Sequence, residues 1–162
     1  MSVTIEITEE AVAWKTLESA DAIIRRALEA VLADAGVREG EVGVMLCDDA
    51  RIRDLNRVWR GKDEPTDVLS FPTNKSAGSP MRHFGDIALA YETLTREAEA
   101  EGKTIEAHLS HLGVHGMLHL LGEDHENDRN AEAMEERERR ILARLGISDP
   151  YATRERLESN HA

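Results

Sequence analysis

The sequence predicts a single α+β domain in which one mixed sheet of about four strands packs with about five helices. Three observations carry that expectation. Short alternating or apolar runs interleave with helical periodicity as far as Ala90, the chain from Glu92 onward reads as helix, and no repeat or linker divides its 162 residues. A chain of this length can bury a sizeable core without a second domain.

Val3, Ile5 and Ile7 alternate with polar residues and define a first strand. A helix follows, clearest from about Ser19 to Ala35, with Ile23, Ile24, Ala27, Leu28, Val31 and Leu32 on its apolar face and Gly36 as its stop. Glu41 to Cys47 is a second strand, with Val42, Val44 and Leu46 sharing a face. Asp48 then caps a helix that runs through Trp59 and ends at Gly61. Thr66 to Phe71 and Asp86 to Ala90 are the third and fourth strands, and Pro72 to Phe84 between them is a loop. From Glu92 the chain is helical, broken near Gly102. A helix from about Thr104 to Leu121 carries most of the histidines, and a last one runs from about Asn130 to Leu145. In that last helix Ala131, Met134, Glu138, Ile141 and Leu145 form a mostly apolar stripe that reads as core. The expected domain spans residues 1–147. Residues 148–162 lose periodicity and read as a flexible tail in which His161 is incidental.

The most informative stretch is His-Gly-Met-Leu-His-Leu-Leu-Gly-Glu-Asp-His, residues 115–125. Residues four apart on a helix share a face, so His115 and His119 can aim imidazole nitrogens at one point. Gly122 can end the helix in a left-handed conformation and return His125 as a third ligand. Three protein ligands with an open fourth position describe a catalytic zinc site, one ion per chain, whereas closed structural sites are rich in cysteine. Cys47 is the chain's single cysteine and reads as a small buried side chain. Histidines at helical spacing can also be satisfied core residues, but a third histidine beyond a glycine weighs for a metal. An alternative site could use His111 with His115, but not all three of His111, His115 and His119, because eight residues of helix span about 12 Å and zinc ligands lie roughly 2 Å from the ion. His115 with His119 is chosen because Gly122 and His125 follow at the distance a returning loop needs. His111 is expected to support a ligand or face substrate, and His108 to be exposed.

Composition narrows the partners. The net charge of -12 argues against a polyanion, yet the segment from Arg51 to Arg82 carries seven basic and four acidic residues, leaving -15 for the remainder. Such a strip can guide RNA, or it can be a solvated helix face. No apolar stretch approaches the roughly 20 residues of a membrane span, and the N-terminus lacks a signal core, so a cytoplasmic protein is expected.

The histidine run, together with Arg-Gly-Lys-Asp-Glu-Pro-Thr-Asp-Val-Leu-Ser-Phe-Pro at residues 60–72, Gly-Asp-Ile at 85–87 and Ala-Glu-Ala-Met-Glu at 131–135, resembles the YbeY family of bacterial endoribonucleases. The resemblance implies a zinc-dependent nuclease specific for single-stranded RNA, with no DNA substrate, acting in 16S rRNA 3'-end maturation and ribosome quality control, in contact with ribosomal RNA and the small ribosomal subunit. It also implies that His115, His119 and His125 hold the metal and that Arg60 is needed for activity. Glu123 stands where the family often has an aromatic residue.

The chemistry agrees with that assignment. Three neutral imidazoles leave the full charge on zinc, and an arginine fork fits two phosphate oxygens where a phosphodiester transition state gathers negative charge. Arg60 could otherwise be a surface residue favoured by a helix end. Two readings compete. His-x-x-x-His-x-x-Gly-x-x-His is also the ligand frame of metzincin proteases, but these carry a glutamate base after the first histidine, where this chain has Gly116. Asp124 and Glu123 lie near the site, and nothing in their spacing assigns either as the base. A non-catalytic, zinc-stabilised assembly factor is the other alternative, and it calls for a closed site.

Overall fold

Alternation along the strands is what sets the layers. The computed structural model describes residues 2–73, 82–123 and 127–152. Four strands, β1 (Ser2–Glu9), β2 (Glu39–Cys47), β3 (Val68–Pro72) and β4 (His83–Ala90), form one sheet in the order β1-β2-β4-β3. β1, β2 and β4 run parallel and β3 is antiparallel to β4, so the sheet is mixed as expected. Val42, Val44 and Leu46 point to one face, into a core shared with α1 (Ala20–Asp34) and α4 (Ile105–Leu120). Cys47, Leu69, Ala88 and Ala90 belong to a second, smaller cluster with Ile52 of α2 (Asp49–Arg60).

Helix ends follow the local chemistry read from the sequence. The Asp48 carboxylate accepts from the Arg51 backbone N–H at 2.8 Å, and Gly61 closes α2 at φ 71. α3 (Tyr91–Ala100) is followed by Gly102 and then by α4, capped by Thr104. A short 3-10 turn at Val12–Thr16, which periodicity does not signal, seats Trp14 so that its indole N–H reaches the Cys47 carbonyl at 2.8 Å. The Cys47 thiol is fully buried, which pushes its pKa up to about 12. α5 (Asp128–Arg144) is held to the end of α1 by Asp34, whose carboxylate accepts from Arg137 at 3.0 Å, Arg140 at 3.0 Å and Arg144 at 3.1 Å. No helix among the described residues is long and apolar enough to cross a membrane.

Two placements differ from expectation. His108 is buried, at 5% exposure, because α4 is covered on that side by α3. Part of the segment read as tail is engaged: Lys103 donates to the Pro150 carbonyl at 2.8 Å, and Tyr151 reaches the core-facing side of α5. Residues 153–162, with His161, lie outside the described residues.

β4 joins its neighbours through a register shift against β2, where Val42 pairs with Gly85 after Glu41 has paired with His83. Gly85 has φ 135, and a Cβ there would stand 2.2 Å from the Phe71 carbonyl oxygen of β3. Backbone, rather than a flexible side chain, is in the way. Gly85→Ala is therefore expected to destabilise the fold by about 2–5 kcal/mol, read as a lower urea midpoint with an unchanged slope.

Candidate active site

Ten of the sixteen residues of α4 are buried, so its histidines are surrounded by protein and must find partners there. His115 and His119 lie one turn apart with their Nε2 atoms 3.1 Å from each other. Behind His115, its Nδ1 meets Glu138 Oε1 of α5 at 2.6 Å, and His111 Nε2 meets Glu138 Oε2 at 2.8 Å. The Tyr151 hydroxyl donates to the same Oε2. Glu138 is thus a fully buried carboxylate with three partners. Burial alone would raise its pKa, but the hydrogen bonds and charges of His111 and His115 outweigh burial and hold it down at about 2. An ionised carboxylate only accepts, so both histidines donate to it. That places a proton of His115 on Nδ1 and leaves its Nε2 facing His119.

The α4 helix ends as the glycine predicted. Gly122 N–H bonds the His119 carbonyl at 3.0 Å, Glu123 N–H bonds the Leu118 carbonyl at 3.0 Å, and Gly122 takes φ 101, the double closure of a Schellman cap. Glu123 is held by Arg137 at 2.7 Å. His125 and Asp124 lie outside the described residues.

Arg60, at the exposed end of α2, lines a cavity of about 310 Å³ with Thr66, Ser70, His115 and His119. Arg53 is paired with Asp63 at 2.8 Å, Arg57 with Asp54 at 3.3 Å and Arg51 with Glu10 at 4.0 Å. Among the described residues no carboxylate is paired with Arg60. The basic strip is therefore largely neutralised along α2 and left open where it meets the histidines.

Gly116, the position that separates this chain from metzincins, faces the sheet. A Cβ there would meet Ile87 Cγ2 at 3.1 Å and Ser70 Oγ at 3.3 Å, and the Ser70 hydroxyl donates to the Gly116 carbonyl at 3.0 Å. The glycine lets α4 pack close to the sheet, since a Cβ would make Ile87 and Ser70 give by a few tenths of an ångström.

A second cavity of about 450 Å³ adjoins the first through His115, Asp67 and Val68, and is also lined by Glu97, His108, His111 and Tyr151. Two groups in or behind its wall have donor atoms close enough to hold a metal ion: His111, His115 and Glu138, and Asp67, Glu97 and His108. In the second group His108 Nε2 lies 3.0 Å from Glu97 Oε1. Burial, followed by the hydrogen bond and charge of Glu97, pushes the Asp67 pKa up to about 6. Burial also works to raise that of Glu97, but its bonds to His108 and Asp67 leave it below the ordinary value.

Sequence reasoning misses Glu138. Periodicity places it on the apolar stripe of the last helix as core, and it is instead the charged centre on which His111, His115 and Tyr151 converge. The available signal is its being the one ionisable residue on that stripe, on a helix following one rich in histidine.

The family model and the curated relatives agree on one family. The family model described as Endoribonuclease YbeY matches residues 4–146. A curated protein named Endoribonuclease YbeY from Rhodopseudomonas palustris is 54% identical over 153 residues, covering 91% of this chain and 89% of its own length. One of the same name from Nitrobacter winogradskyi is 53% identical over 159 residues, covering 94% and 84%. Among solved structures, a Thermotoga maritima protein determined in solution superposes with a TM-score of 0.58 at 27% identity, over 97% of this chain and 93% of that one.

The raised Asp67 carboxyl has a consequence for stability. Folding takes up a proton between the unfolded value of 3.8 and the folded value of about 6, so the associated stability is complete below pH 3.8 and lost above about pH 6. An asparagine in its place would keep the shape and a donor toward Glu97 without titrating. Relative to Asp67→Asn, the wild type should lose stability as pH rises from 4 to 6 and run parallel above that, in urea unfolding at fixed pH values. Curves that stay parallel throughout would show Asp67 to be ionised in the fold.

Proposed function

This chain belongs to the YbeY endoribonuclease family, hydrolases acting on RNA, and on that premise we propose that it is a zinc-dependent endoribonuclease specific for single-stranded RNA, acting in the cytoplasm in 16S rRNA 3'-end maturation and ribosome quality control. Its partners in that role are ribosomal RNA and the small ribosomal subunit. The observation that carries the reading is that one cavity gathers two imidazoles whose Nε2 atoms converge and an arginine that has no carboxylate partner among the described residues.

The donor set fits zinc. Two ligands at 2.0–2.1 Å in tetrahedral geometry stand roughly 3.4 Å apart, close to the 3.1 Å between His115 and His119 Nε2. His115 and His119 hold the ion in this reading, with His125 as third ligand. His111 and Glu138 support from behind: Glu138 orients His115, as carboxylates do for metal-binding histidines, and its occupation by three donors argues against its being a ligand itself. When bound, zinc supplies positive charge at a phosphoryl oxygen and lowers the pKa of water toward 7.

Arg60 supplies the second positive group. Its planar fork can take two phosphate oxygens at once and hold the scissile phosphate against the histidine side of the cavity. Duplex RNA keeps its backbone in A-form, which such a cavity would have to disrupt, so a flexible single strand is the substrate. The protease reading loses support at Gly116, because glycine has no carboxylate to act as general base where metzincins carry one.

Metal analysis followed by cleavage assays on single-stranded RNA, duplex RNA and peptide tests this directly. Arg60→Glu should abolish RNA cleavage with zinc content unchanged, while His115→Ala or His119→Ala loses both and His111→Ala keeps the metal. Peptide cleavage without RNA cleavage would overturn the assignment, and zinc retained by His125→Ala but lost by His111→Ala would overturn the ligand set. Glu138→Gln should weaken zinc binding about 10- to 100-fold in competition with a chromophoric chelator, since the amide cannot accept from three donors at once.

A further inference from the structure

Trp59 and Val58, at the end of α2, are two of the three large hydrophobic side chains exposed in the described structure, at 69% and 66%. The chain has only six aromatic rings of Trp, Tyr and Phe, and Trp59 is the one that stands exposed. Its ring leans on Phe71 of β3, with centroids 6.0 Å apart and planes at 59°, and Phe71 in turn packs on the Ile52 cluster. The indole is thus braced from behind while most of its surface meets solvent. Two large apolar side chains thus stand exposed at one helix end, where a soluble surface usually carries polar ones.

What covers that patch is indicated by its neighbour. Arg60 follows Trp59 directly and lines the cavity with His115 and His119. In RNA one sugar separates each phosphate from its base, so a phosphate on the Arg60 fork brings a flanking base within reach of the adjoining residue. Proteins that hold single strands combine cations for the backbone with aromatic rings for the bases, and an indole braced by a second ring is pre-ordered for that use. From this juxtaposition we propose that Trp59 is a base-stacking subsite for the nucleotide flanking the scissile phosphate, a contact that rests on the single-stranded RNA reading and deepens it. Stacking uses the π-face that all four bases share, so the subsite admits any base and rejects duplex, in which the bases are already stacked.

The chain's tryptophans make the contact observable. Trp14 is 1% exposed and serves as an internal reference, whereas Trp59 can be quenched. Titration of the full chain at low salt with a 2'-O-methyl single-stranded oligonucleotide, shown to be intact afterwards on a denaturing gel, should quench the emission of Trp59, and an abasic oligonucleotide of equal length should not. Trp59→Leu should bind the base-containing strand at least about fivefold more weakly, Trp59→Phe should bind nearly as the wild type does, and neither should change affinity for the abasic strand. Retention of the Trp14 emission maximum shows that each variant is folded. Wild-type affinity in Trp59→Leu, with binding still lost in Arg60→Glu, would overturn the stacking subsite and leave the RNA reading intact. Failure of the wild type to bind any strand would overturn both.

Discussion

Burial of α4 on nearly every side is the constraint from which the rest of the site follows. The helix packs against α1, α3, α5 and both strands of the β3–β4 pair, so its polar side chains are partly or wholly withdrawn from water. Histidines at 108, 111 and 115 each point where a carboxylate from another helix has entered: Glu97 from α3 for the first, Glu138 from α5 for the other two. An unpaired imidazole at such depth would carry a desolvation cost of about 1–3 kcal/mol, and an unpaired carboxylate more. The two helices that flank α4 therefore contribute its electrostatics as well as its packing. The triple arginine clasp on Asp34 sets the position of α5, and with it the height at which Glu138 meets α4.

The same constraint explains how an acidic chain can present a site for a polyanion. Most of the basic residues of α2 are paired with carboxylates on their own surface, which removes long-range attraction and leaves a local contact at Arg60. With three of the four arginines of α2 paired, that helix offers a local cation at Arg60 more than a long-range field. An acidic surface around such a contact penalises long, stiff polyanions and tolerates a strand that enters at one point.

Much of the fold was legible because it is written in local periods. The strands of β2 and β4, the cap at Asp48, and the stops at Gly61, Gly102 and Gly122 follow from alternation, from an acidic side chain before a helix and from backbone conformations that favour glycine. The facing of His115 and His119 was legible for the same reason, being one helical turn. Glu138, Tyr151 and the burial of His108 were not, because each depends on which helix lies opposite, and sequence periodicity carries the face of a helix but not its neighbour. Glu138 satisfies the periodicity of an apolar stripe and violates its chemistry. A lone carboxylate in such a stripe marks a buried partner elsewhere, and here four histidines on the preceding helix were the available partners.

Gly116 shows how one ligand frame can serve different reactions. On a helix, the residue after a ligand points about 100° away from it, and in this fold that direction meets Ile87 and Ser70 of the sheet. A Cβ at 116 would press on the Ile87 and Ser70 side chains, which would have to give by a few tenths of an ångström, so the smallness of residue 116 lets α4 lie close to the sheet while His115 and His119 line the cavity with Arg60. A glycine carries no side chain that could take or give a proton, so the position that holds the general base in metzincins cannot serve as one in this chain.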